Sequence, residues 1–205
     1  MSTEKLDIKQ TLVEGVQLGI SNFVPLLLTV LLYVVTVWIP YLNVGTTIGM
    51  YRVIIKMSKG GTVEPTEIFA KENFENLGDF FLLLGLTSIG VSAALAFMFI
   101  PALVIGIAWE FAMYLFLDKK VSPLKALSLS YKVTYGEKWT IFLIELLAVL
   151  AVIIIAVILG LIPKVGPFLA FVAVLLSAAI IVAIEALMYR HFAAKADEIL
   201  EKPAE

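Results

Sequence analysis

Six apolar runs, at approximately 22–39, 42–57, 80–100, 102–117, 139–162 and 167–189, constrain this chain more than any other feature. Together they make 61% of its 205 residues apolar and leave only 16% charged, where a soluble domain carries roughly 45–50% apolar residues and about a quarter charged. A chain of this size cannot bury that excess internally, so the remaining apolar surface needs lipid as its solvent. The runs therefore predict an all-α membrane bundle with about six membrane helices, folded as a single membrane domain over residues 1–205. Residues Met1 to Gln10 mix Glu4, Lys5, Asp7 and Lys9, the apolar run begins only around Ile20, and no small-x-small site follows it, so the chain opens as an uncleaved membrane helix rather than a signal peptide.

The runs come in related pairs. Ile-Pro recurs at Pro40, Pro101 and Pro163, each between two runs, and marks three hairpin turns. Gly19, Gly78 and Gly136 precede the odd-numbered runs, and Met-Tyr pairs ending in Tyr51, Tyr114 and Tyr189 stand near the ends of the even-numbered ones. Markers in common register give three repeats, approximately 6–57, 65–117 and 123–190, with a polar tail at 191–205. Tyrosine suits a membrane interface, because its ring is apolar and its hydroxyl is wet.

Each repeat begins with a more polar leader, at 6–18, 65–77 and 123–135, that alternates apolar and charged residues at helical spacing, as in Leu124, Leu127 and Tyr131 against Lys125 and Lys132. Pro65 and Pro123 suit a first helical turn, where a missing N–H costs nothing. The two inner leaders are expected flat on the cytoplasmic interface. The second and fourth runs cover roughly 24 Å of a core about 30 Å thick, so the first two hairpins need not cross fully. Small residues, Gly85, Gly90 and Ala94 in the third run and Ser177 to Ala179 in the sixth, suit close helix packing.

Basic residues set the orientation. Of 15 lysines and arginines, only Lys164 falls at a hairpin tip; the others lie at the termini, in linkers or at helix ends facing them. By the positive-inside rule that side is cytoplasmic, which places both termini there and the chain in the inner membrane.

Four ionisable groups sit within the runs at similar depth: Arg52, Glu110, Glu145 and Glu185. Glu110 and Glu185 each precede a marker tyrosine by four residues and share a helix face with it, while Thr47 takes that place in the first repeat. Arg52 is the expected counter-charge. Three readings stand: a polar or proton-linked site, a structural network fixing helix register, or groups shallow enough to be solvated. The chain has no cysteine and one histidine, so neither a thiolate nor a histidine metal cluster is available, and nothing implies a cofactor.

The string from Asn76-Leu-Gly-Asp-Phe-Phe through Pro101 and Glu110 to Asp118-Lys-Lys-Val-Ser-Pro-Leu-Lys-Ala-Leu and Ser130-Tyr-Lys-Val-Thr-Tyr-Gly-Glu-Lys-Trp139 resembles uncharacterised prokaryotic six-helix membrane proteins, similar to the membrane domain fused to some glycerophosphodiester phosphodiesterases. The resemblance implies a fold and a location, and brings no catalytic residues. Mitochondrial carriers also have three two-helix repeats, but the comparison fails: the units here are about 60 residues long, the amphipathic helix sits between hairpins, and the Pro-x-acidic-x-x-basic signature is absent. The expected function is a non-enzymatic scaffold, oligomer-forming or membrane-shaping protein, with a transporter or channel as the alternative. Its partners are then the bilayer, copies of itself or other membrane proteins, and not nucleic acid.

Overall fold

The computed structural model describes residues 5–75 and 77–201, which are helical with no strand among them. In chain order the helices are α1 (Ile8–Ser21), α2 (Phe23–Thr36), α3 (Leu42–Ser58), α4 (Leu77–Phe97), α5 (Phe99–Trp109), α6 (Ala112–Lys119), α7 (Pro123–Val133), α8 (Lys138–Gly160) and α9 (Gly166–Glu201). Asp7 starts α1 by accepting the Gln10 amide at 2.6 Å, and Pro123 occupies the first turn of α7.

Four segments are long and apolar enough to cross a membrane: α4, the α5–α6 segment Phe99–Lys119, α8 and α9. A fifth is obtained only if α1 and α2, bent by 85° at Asn22, count as one. This is fewer than the six expected. At 14 and 17 residues, α2 and α3 cover only about 21 and 26 Å.

Helix α3, the α5–α6 segment and α9 run side by side in one direction, and the other helices pack around them. The core lies at the end where the basic residues gather, around Phe111, Tyr114, Tyr189 and Phe192. Away from it the structure thins. Helix α8 buries only Ile141 and Ile144, both in its first two turns, and the α4–α5 tip exposes Phe97 at 85% with Met98, Phe99 and Ile100. Helix α9, in contrast, continues beyond the expected sixth run to Glu201, and residues 191–201 are helix rather than tail, with Phe192, Ala193 and Ala196 buried. The tail's last residues, including Lys202, lie outside the described residues, as does Asn76.

Two local expectations change. The chain turns at Pro40 and Pro163, but the second hairpin breaks at Met98, in extended backbone, and Pro101 sits inside the first turn of α5. A proline there loses no helical hydrogen bond, so the break shifts to the residues ahead of it. The second leader forms two 3-10 turns, Pro65–Phe69 and Lys71–Phe74, instead of a helix. Buried Asn73 donates to the Glu67 and Ile68 carbonyls at 2.9 and 3.0 Å, a side-chain alternative to the helical ladder. Helix α7 does form, but its buried face is Ala126, Leu127, Leu129, Ser130 and Val133, leaving Leu124 and Tyr131 exposed with Lys125 and Lys132.

Candidate functional site

The three tyrosines singled out by their spacing meet at the centre of the bundle. Tyr51 packs edge-on against Tyr114, with ring centroids 4.9 Å apart, and Tyr114 stacks on Tyr189 at 5.1 Å, with Phe111 and Phe192 completing the cluster. Each such pair contributes about 0.5–1.5 kcal/mol beyond its burial. Tyr114 and Tyr189 are 1% and 0% exposed, so they are core residues and not the interface anchors expected. A buried phenol needs a partner for its hydroxyl, and the carboxylates supply it.

The pairing is between helices. Tyr114 donates to the Glu185 carboxylate on α9, and Tyr189 donates to Asp118 Oδ2 on α6 at 2.7 Å. Glutamate and tyrosine four apart on one helix do share a face, yet neither Glu110 with Tyr114 nor Glu185 with Tyr189 bonds. The faces of α6 and α9 are instead turned towards each other, so each tyrosine reaches the neighbouring helix. On α3 the equivalent Thr47 exchanges a hydrogen bond with Tyr33, 3.3 Å away.

Glu110, Glu145 and Glu185 come together, as expected. The three lie close enough to one another to interact electrostatically. Glu110 also lies at a discontinuity, because α5 ends at Trp109 and α6 starts at Ala112. No proline causes this break. The Ala108 carbonyl, which the amide of residue 112 would cap in a continuous helix, accepts Ser130 Oγ from α7 at 2.8 Å, with Thr134 Oγ1 at 3.4 Å.

Arg52 is not the counter-charge. It is exposed and donates to the Glu72 carbonyl at 3.1 Å. Successive helical residues diverge by about 100°, so with Tyr51 turned into the core its neighbour must point away from it. The carboxylate cluster is thus served by tyrosines rather than by a cation.

Two polar groups at the basic end escaped the sequence reading. Asp118, the acceptor for Tyr189, is also ion-paired to Lys59 and, at 3.3 Å, to Lys119, which reaches Asp197 on α9 at 2.7 Å. Glu137, buried at the start of α8, accepts from Lys195, from the Leu6 amide at 2.8 Å, and faces His191 Nε2 at 3.3 Å. Burial pushes its carboxyl up, but Lys195, the Leu6 amide and His191 outweigh that and hold it below the usual carboxylate range. Neither had a sequence signal beyond charge, since apart from Lys119, next to Asp118, their partners are more than 50 residues distant.

Among the described residues, no group of three histidine, cysteine, aspartate or glutamate side chains is arranged to hold a metal ion. No family model, curated protein or solved structure matches the chain.

Proposed function

We propose that the chain is a multi-pass inner-membrane scaffold, non-enzymatic, with its basic end and both termini in the cytoplasm. The observation carrying this reading is the contrast in burial along the long helices. A densely packed, ion-paired body occupies the basic end, whereas α8 beyond Ile144, the first half of α9 and the α4–α5 tip offer apolar side chains all round. Such helices are stable only in lipid or against other membrane helices. The repeated hairpins, on this reading, are units of a body that presents two apolar arms to the bilayer and to copies of itself. Native mass spectrometry of the protein in nanodiscs tests it. A defined oligomer that cross-links through α8 supports assembly, and a monomer at every protein density contradicts it.

A second reading, proton-linked transport, is favoured by one observation: Glu110 lies at a broken helix, with Glu145 and Glu185 close enough to interact with it electrostatically. Broken membrane helices lined by carboxylates are a transporter device. Replacing Glu110 and Glu145 by glutamine in proteoliposomes then abolishes proton flux under an imposed gradient. Unchanged flux, or none in the parent protein, removes this reading.

A further inference from the structure

A cleft of about 720 Å³ opens at the basic end between α3, the segment leading into α4, and the α6–α7 junction. On its wall Lys56 is ion-paired with Glu67, and Lys59 with Asp118. Other charges there have no such partner. Among the described residues, Arg52 and Lys120 on its walls are ion-paired with no carboxylate, Arg52 donating instead to the Glu72 carbonyl, and Glu72, Glu75 and Asp79 are ion-paired with no cation. Beside the paired groups, charges of both signs without an ion-pair partner therefore line one space. The inner surface is apolar, formed by buried Ile48 and Phe80 and by half-buried Phe116 and Leu117.

We infer that this cleft binds the headgroup of a phospholipid carrying both a phosphate and a primary ammonium, from the leaflet on the basic side. The phosphate lies against Arg52 and Lys120, where a guanidinium offers two parallel donors to phosphate oxygens. The ammonium lies against Glu75 and Asp79, and the start of the acyl chains covers Phe116 and Leu117. A purely anionic headgroup satisfies one wall and leaves the carboxylates facing it. The membrane setting favours a lipid over a soluble zwitterion, because the apolar inner surface has no use for a ligand without chains. Arg52 faces away from the glutamate–tyrosine cluster, and the cleft touches that cluster only through Asp118, the acceptor for Tyr189.

Native mass spectrometry of the protein released from vesicles of equal parts phosphatidylethanolamine, phosphatidylcholine and phosphatidylglycerol tests the assignment. One phosphatidylethanolamine per chain is expected to be retained. Arg52→Gln and the pair Glu75→Gln with Asp79→Asn should each weaken retention roughly tenfold, as loss of one charge-assisted hydrogen bond implies. All these positions are solvent-exposed, and Lys120→Gln gives an independent probe of the phosphate side if Arg52→Gln lowers the melting temperature. Preferential retention of phosphatidylglycerol, equal retention of phosphatidylcholine, or retention indifferent to all three changes overturns the assignment. So does equal competition by soluble O-phosphoethanolamine, which would make the ligand a free metabolite and not a lipid.

Discussion

Tyr114 shows how one side chain joins three parts of this molecule: its ring bridges Tyr51 and Tyr189, and its hydroxyl satisfies Glu185. Replacing it by phenylalanine keeps the ring and strips the donor, leaving a half-buried carboxylate without its hydrogen bond. A loss of about 1–3 kcal/mol follows, read as a lower melting temperature in detergent, and Glu185→Leu in the same chain should recover part of it. At Glu137 the expected signature is pH dependence. Its carboxyl is held below its unfolded value, so the stabilisation is present above about pH 4.3 and is lost as pH falls through the lower folded value. Acidification below that point should therefore release the Leu6 segment and the end of α9, seen as new proteolytic cleavage, and Glu137→Gln should be cleaved at all pH values. The glutamates and tyrosines were legible as candidates because charge within an apolar run and a recurring Met-Tyr are visible in one dimension. Which tyrosine serves which carboxylate was not, because it depends on how α6 and α9 face each other.

Elements were read more securely than their junctions. The apolar runs found where the helices start to within a few residues, since a stretch of apolar residues between turn formers has few other solutions, but they missed the break between α5 and α6 and the extension of α9 to Glu201. Misplaced junctions trace to competition the pattern does not encode: Asn73 capturing carbonyls in the second leader, Ser130 propping open the fourth run, and Pro101 accepted into a first turn. A packing signal was also present and passed over. Gly15 and Gly19 stand four apart on α1, and α9 lies directly against them; a Cβ on Gly15 would come within 2.5 Å of Ile184 Cγ1, and one on Gly19 within 2.9 Å of the Ile180 backbone. Close approach of this kind is what small residues four apart permit. Gly19→Val should separate α1 from α9 at a cost of about 1–3 kcal/mol, with faster proteolysis near residue 10, whereas Gly85→Val, which meets open space, should change little.

The whole molecule is asymmetric along the long axes of α8 and α9. Ion pairs, aromatic packing and the charged cleft occupy the basic end, and among the described residues Lys164, in the α8–α9 turn, is the one basic group at the other. Composition and charge placement carry that asymmetry in the sequence. The thinness of packing at the tips is a tertiary property and emerged only from the structure. Because the chain contains no cysteine, single cysteines report position directly, and labelling of intact cells with a membrane-impermeant maleimide, before and after permeabilisation, tests the membrane arrangement most directly. Lys164→Cys should be labelled in intact cells, Lys195→Cys only after permeabilisation, and Ile154→Cys, midway along α8, in neither. Labelling of Ile154→Cys by the aqueous reagent, or of Lys164→Cys and Lys195→Cys from the same side, would contradict a bundle that holds its apolar arms in the bilayer and its packed body in the cytoplasm.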